Sequence, residues 1–401
     1  MIEFENVVKQ YPDGVRAVDG LSLHVPEGEI CVLIGPSGCG KTTSMRMVNC
    51  LISITSGRIV VDGQDNREVA AEELRRKIGY AIQQIGLFPH MTVFDNIAVV
   101  PRLLEWEEPR IRKRVDELLE LVGLDADVNR SKYPRQLSGG QQQRVGVARA
   151  LGADPPIMLM DEPFGAVDPI TRETLQAEFL GIQRAIGKTI IFVTHDIDEA
   201  IKMGDRVAVM RAGKLVQYDA PDDLLAKPTD AFVRDFVGAD RQLKRLGLVR
   251  VQEIMDPHPP VVAEDGTREE ALEVVSQPGL NSAFVVDRHG KLKGWVSEEL
   301  LAAAASLADA AQRAPLREVA ARESATLREA LSVMLSSGFG ATPVVDDEGR
   351  LVGSVTLEAL KEHAEEREVQ RDGERTGDRA GERAWERDGE NRGAAAKDDI
   401  T

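Results

Sequence analysis

Eight residues, Gly35-Pro36-Ser37-Gly38-Cys39-Gly40-Lys41-Thr42, place three glycines, an ammonium and a hydroxyl in one short run. The spacing is G-x-x-x-x-G-K-[ST], a pattern suited to gripping a polyphosphate. Its glycines let backbone N–H groups turn inward around phosphate oxygens, Lys41 supplies a point charge, and Thr42 offers a hydroxyl to a magnesium ion. A second run, Ile157-Met158-Leu159-Met160, leads straight into Asp161-Glu162. Two carboxylates closing an apolar strand make sense where they meet a cation: Asp161 is placed to hold magnesium and Glu162 to polarise an attacking water. A third run, Leu137-Ser138-Gly139-Gly140-Gln141, precedes a helix-like stretch. Its hydroxyl and backbone amides at a helix N-terminus make a second anion site.

These groups need a rigid frame. Up to about Val237 the chain alternates short apolar runs with helical patterns, which predicts an α/β domain with a largely parallel sheet. Strands are expected at Glu29–Ile34, Ile157–Met160 and Thr189–Val193, with ligand groups at their carboxyl ends. The helix after the phosphate loop is expected to open at Thr43.

Together the three runs resemble the ATP-binding cassette (ABC) ATPases, in which Leu137–Gln141 is the signature sequence. The resemblance implies a P-loop domain with a mostly parallel sheet and a helical subdomain, binding ATP and magnesium. Nucleotide contacts then fall to Gly35, Ser37, Gly38, Cys39, Gly40, Lys41, Thr42 and Thr43, and magnesium to Thr42, Asp161 and Gln83. Ser138, Gly139, Gly140 and Gln141 grip the nucleotide held by a partner's phosphate loop, so that two chains sandwich two ATP molecules. Tyr11 lies where a ring stacks on adenine. Gln83 matches the glutamine that senses magnesium and touches the membrane subunit; Gln84 competes for that role, and the distance to Pro89-His90 favours Gln83. Asp168 matches the loop crossing the dimer interface, and His195 the switch histidine that works with Glu162 on the attacking water. Cys39 reads as a small residue without catalytic duty.

The chain has 401 residues, enough for two or three domains. Its 50 Lys+Arg against 67 Asp+Glu leave a net charge of −17, unfavourable for general nucleic-acid binding. No apolar run is long enough to span a bilayer and no signal-peptide layout opens the chain, so a cytosolic location is expected. The cysteines Cys31, Cys39 and Cys50 fit neither a disulfide framework nor metal-ligand spacing.

An internal repeat follows. Thr267–Leu301 aligns without gaps on Thr326–Leu360, with about 15 identities over about 35 positions. Each copy reads as helix, strand, turn, strand, helix. The pair resembles cystathionine-β-synthase-type (CBS) domains, which often bind adenine nucleotides. Both copies keep the hydroxyl of the family's Gly-x-x-[Ser/Thr] turn (Ser297, Thr356) but carry Leu300 and Ala359 where nucleotide-binding copies have an acid. The expected organisation is a nucleotide-binding domain over 1–237, a linker over 238–250, CBS copies over 251–306 and 312–364, and a disordered charged tail over 366–401. The acidity concentrates in the repeat, and the tail's arginines nearly cancel its acids.

One cassette followed by a CBS pair resembles the ATPase subunits of bacterial importers for quaternary ammonium osmoprotectants such as glycine betaine, proline betaine, choline and carnitine. That resemblance, strongest over Ile78–Thr92, implies a homodimer working with two integral-membrane permease subunits and a substrate-binding protein. It places the chain peripherally on the cytoplasmic face of the membrane, with the CBS pair regulated by ionic strength or a cyclic dinucleotide. Two other readings are an importer ATPase for a different cargo, such as an amino acid or sulfonate, and an ABC-type ATPase or nucleotide sensor without transport.

Overall fold

The computed structural model describes residues 1–81, 86–165, 167–277, 282–312 and 315–363, and the chain divides into two compact units, Met1–Ala239 and Asp240 onward. Gln83, Gln84 and the tail over 366–401 lie outside the described residues.

In the first unit the strands are β1 (Ile2–Gln10), β2 (Arg16–Val25), β3 (Ile30–Ile34), β4 (Ser56–Val61), β5 (Gln64–Asp65), β6 (Ile78–Ala81), β7 (Ile157–Asp161), β8 (Thr189–Val193), β9 (Arg206–Arg211) and β10 (Lys214–Asp219). Six form one sheet in the order β10-β9-β3-β8-β7-β6, parallel except for the β9–β10 hairpin. Every residue of β3, β7 and β8 is buried, as a parallel strand covered on both faces requires, and this explains their unbroken apolar runs. The remaining four form an antiparallel sheet, β2-β1-β4-β5.

Two boundaries differ from the sequence expectation in ways that matter for chemistry. β7 extends through Asp161, so that acid is the last rung of the ladder and faces Val193 of β8. The helix after the phosphate loop opens at Lys41 rather than Thr43, because the ladder of helical bonds already starts with Ser44 N–H donating to the Gly40 carbonyl at 2.8 Å.

The second unit carries β11 (Val261–Ala263), β12 (Ser282–Val286), β13 (Leu292–Ser297), β14 (Ala321–Arg322), β15 (Ala341–Val345) and β16 (Leu351–Thr356). They form two three-stranded sheets, β11-β12-β13 and β14-β15-β16, of the same topology. Thr267 and Thr326, equivalent in the repeat, each cap a helix through a reciprocal box with a glutamate three residues on. The copies are stitched by a matching pair of bonds: Leu292 N–H donates to Gly349 O at 3.1 Å, and Leu351 N–H to Gly290 O at 2.9 Å. Phe284 and Leu292 of one copy and Val345 of the other share a small apolar cluster.

Residues ahead of the Thr267–Leu301 repeat serve the second copy. Val249 and Val251, with Leu246, Ile254 and Met255, pack into the core around Leu327, Met334, Val344 and Val355. The charged stretch before them is the helix Arg241–Leu246, with Lys244 and Arg245 buried.

Candidate functional site

The site forms at the carboxyl ends of β3, β7 and β8. β3 delivers the loop Gly35–Gly40, which turns into the helix Lys41–Val48. Gly35 sits at φ +151°, and a Cβ there would lie 2.2 Å from the Met210 carbonyl oxygen, so the loop passes close against β9. The Cys39 carbonyl accepts from Gly213 N–H at 3.0 Å, tying the loop to the β9–β10 turn. Lys41 is 6 % exposed, and its Nζ donates to the loop carbonyls of Gly35 (2.6 Å) and Pro36 (3.2 Å). The ammonium is thus held over the concave side of the loop by acceptors that a phosphate can replace. The Cys39 thiol is buried, 3.8 Å from Lys41 Nζ.

Asp161 and Thr42 meet directly: Thr42 Oγ1 donates to Asp161 Oδ1 at 3.1 Å, although 119 residues separate them. Asp161 is 4 % exposed, and burial pushes its carboxyl above the usual range, partly offset by the Thr42 hydroxyl and the Arg46 guanidinium at 3.9 Å. A desolvated carboxylate beside a hydroxyl is a site that gains from a small hard cation, so this donor set fits magnesium. Among the described residues no group of three or more His, Cys, Asp or Glu could cage a metal unaided. Magnesium here would be held by one carboxylate and one hydroxyl, with water and phosphate oxygens completing the shell. Asp161→Asn should therefore abolish the gain in ATP affinity that magnesium gives wild type, while affinity measured in excess EDTA changes by less than about twofold. A titration with a fluorescent ATP analogue, with and without EDTA, reads both; an undiminished magnesium effect would remove Asp161 from the role.

Beyond Asp161 the chain turns sharply. Glu162 adopts φ +44°, a conformation costly for a residue with a Cβ, and its N–H still donates to Val193 O at 2.9 Å. Because β7 and β8 run parallel and in register to that point, the residues following each strand emerge side by side. Glu162 Oε1 lies 3.2 Å from His195 Nδ1, the carboxylate mostly covered and the imidazole 63 % exposed. Asp196 caps the helix Ile197–Met203 by accepting from Asp198 and Glu199 N–H, which fixes the backbone carrying His195.

Ser138 caps the helix Gly139–Ala150 in a reciprocal box: its Oγ accepts from Gln141 N–H at 3.3 Å, while Gln141 Oε1 accepts from Ser138 N–H at 3.1 Å. A Cβ on Gly139 would meet nothing within 4 Å, so the backbone there is open to approach. The bonds of this box stay within it, and among the described residues none joins it to Gly35–Thr42. Asp168 caps the helix Pro169–Ile186 through Thr171 N–H at 3.1 Å, which holds its carboxyl below the usual range. Tyr11 follows β1, half-exposed, with Lys9 Nζ 5.1 Å from its ring centre.

A family model described as ABC transporter matches residues 18–165, and one described as CBS domain matches 251–306 and 314–366. The chain is 47 % identical to the osmoprotectant import ATP-binding protein OsmV of Salmonella typhimurium, over 90 % of this chain and 96 % of that one. The ABC family is thereby settled, and this chain belongs to it. It is also 46 % identical to the glycine betaine/carnitine/choline transport ATP-binding protein OpuCA of Bacillus subtilis, over 90 % of this chain and 95 % of that one. Among solved structures, a dimeric bacterial ABC transporter cassette matches with TM-score 0.50 and 35 % identity, covering 55 % of this chain and 99 % of that one. The protein is accordingly an ATPase of the ABC transporter family with a tandem CBS module.

Within this ABC ATPase the structure joins Lys41, Thr42, Asp161, Glu162 and His195 at the carboxyl ends of the central strands, and leaves Ser138–Gln141 on a helix of their own. One contact has no sequence signal. Arg149, in the last turn of the signature helix, donates to Gly86 O at 2.6 Å and lies 5.8 Å from the Phe88 ring. Burial lowers its pKa from the ordinary arginine value. It fastens the segment following Gln83 to the signature helix, and a single arginine 63 residues away in sequence could not have been assigned that partner. Asn96, fully buried, holds the same segment by accepting from Phe88 N–H and donating to Phe88, Met91 and Thr92 carbonyls.

Proposed function

We propose that this ABC ATPase powers an importer of quaternary ammonium osmoprotectants, of the glycine betaine, proline betaine, choline and carnitine class. The observation that carries the reading is the near full-length match, through cassette and CBS pair together, to osmoprotectant and glycine betaine/carnitine/choline import proteins. In this reading two copies form a homodimer that docks on two permease subunits at the cytoplasmic face of the membrane, and a substrate-binding protein delivers cargo. Among the described residues no helix is long and apolar enough to cross a membrane, which fits a peripheral subunit.

The chemistry follows from the side chains. The loop amides and Lys41 hold the β- and γ-phosphates, with Tyr11 against the base. Magnesium, when bound by Thr42, Asp161 and the Gln83 segment, supplies charge neutralisation on the phosphate oxygens. Glu162 accepts a proton from the attacking water, and His195, exposed beside it, orients that water and the γ-phosphate. Ser138, with the amides of Gly139 and Gly140, completes the site from the partner copy, and Asp168 crosses the same interface. Hydrolysis then waits on dimer closure, which couples it to the permease.

The CBS pair is read as a restraint on that cycle, released by internal ionic strength or a cyclic dinucleotide. With −17 overall and the acids concentrated in this unit, screening of charge contacts beyond about 8–10 Å gives salt a lever. Reconstitution with its permease partner tests both levels. ATP-dependent uptake of labelled glycine betaine or choline is expected, and a chain ending at Ala239 should retain uptake but lose its dependence on salt and dinucleotide. Uptake of an amino acid or sulfonate alone would overturn the cargo; unchanged regulation in the shortened chain would overturn the restraint.

A further inference from the structure

Arg172 has no place in the scheme above, yet it touches both loops that the scheme needs to move together. It lies in the first turn of the helix Pro169–Ile186, four residues after the capping Asp168. Its Nη2 donates to the Val167 carbonyl at 2.9 Å, in the segment leading to Asp168. Its Nη1 lies 3.8 Å from Asp196 Oδ2, while the other oxygen of Asp196 caps the helix that follows His195. One planar guanidinium therefore spans the residue before Asp168 and the residue after His195.

A second rung lies one turn along. Gln176 Nε2 donates to the buried Glu199 carboxylate at 3.0 Å, and Gln176 Oε1 accepts from Lys202 Nζ at 3.1 Å. That rung makes the two helices a single body behind the loops, so the Arg172 rung sets how their leading ends sit relative to each other. The arrangement has a cost: Arg172 Nε is buried without a hydrogen-bond partner among the described residues. An uncharged side chain would escape that desolvation. What arginine alone supplies is a rigid fork that donates to one loop while its charge lies beside a carboxylate of the other.

We infer that Arg172 is a positioning residue, which transmits the placement of Asp168 at the dimer interface to His195 and so makes water activation depend on closure. It touches neither nucleotide nor water and acts through Val167 and Asp196. The inference rests on the ATPase reading, and nucleotide binding is measured separately so that failure of one is told from failure of the other.

In the full-length chain, Arg172→Ala should lower kcat for ATP hydrolysis about tenfold, with the KM for ATP and the affinity for a fluorescent ATP analogue within about twofold of wild type. Arg172→Lys, which keeps the charge but not the planar fork, should recover part of kcat. Because Arg172 and Asp196 work as one link, Arg172→Ala with Asp196→Asn should be little worse than the more damaging single change. Unchanged kcat in Arg172→Ala, additive losses in the double variant, or KM and kcat failing together in Arg172→Lys at an unaltered melting temperature would each overturn the role. Failure of the wild-type chain to hydrolyse ATP it binds would instead overturn the ATPase reading.

Discussion

Glu162→Gln is expected to abolish ATP turnover, by about three orders of magnitude or more, while ATP affinity stays within a few-fold of wild type. The amide keeps the size and shape of the side chain, and the backbone bond from Glu162 N–H to Val193 O at its left-handed turn is left in place. What disappears is the anionic oxygen beside His195 that can take the proton of the attacking water. A thousandfold loss corresponds to about 4 kcal/mol of transition-state stabilisation. With binding intact and cleavage blocked, the closed two-ATP dimer should accumulate and be visible as a doubled mass in size-exclusion chromatography with light scattering. A variant that still hydrolyses at more than about a tenth of the wild-type rate would take Glu162 out of the role of base.

The second large effect concerns backbone rather than charge. Gly35→Ala should cost the protein both its nucleotide site and part of its stability. The new methyl would stand 2.2 Å from a main-chain oxygen of Met210 and 2.8 Å from the Cys39 sulfur, at a φ of +151°. A main-chain oxygen has no rotamer to retreat into, so the loop itself must move away from β9. Overpacking of this kind costs about 1–3 kcal/mol, and the displaced loop no longer presents its amides to phosphate. ATP affinity should fall by more than about tenfold, with a melting temperature lower by several degrees. Gly38→Ala is the internal comparison: at φ +78° it is also left-handed, but its Cβ meets nothing within 4 Å. It should incur only the conformational penalty, about 1 kcal/mol, with a much smaller loss of binding. Equal damage from both changes would show that the approach to Met210 does not matter.

The parts of the site that are contiguous in sequence are legible in the sequence alone, and the reason is physical. A loop that wraps phosphate must carry its glycines, lysine and hydroxyl at fixed spacing, and a strand ending in acids announces itself by its apolar run. The lateral links were not legible. Gln176 and Glu199 pair across the intervening strand β8, and Arg149 reaches Gly86, because the fold rather than local sequence sets those distances, whereas Thr42 and Asp161, 119 residues apart, were already expected to share one cation. The packing of the helix Arg241–Leu246 was not legible for a different reason. Its charges gave no sign that Lys244 and Arg245 bury long aliphatic stems or that Leu246 packs with the second copy's core. The internal repeat, in contrast, was fully visible as identity at constant spacing, because equal folds demand equal caps and turns.

The paired bonds between Leu292 and Gly349 and between Leu351 and Gly290 bear on how this module can be inherited and dismantled. Either copy alone would be left with a severed strand end and half of an apolar cluster facing water. Because Val249 and Val251, which lie ahead of the Thr267–Leu301 repeat, complete the core of the second copy, cutting between the copies leaves that core open. Melting of this unit should run as one transition, and a gene losing a single copy would lose the folded module rather than halve its function.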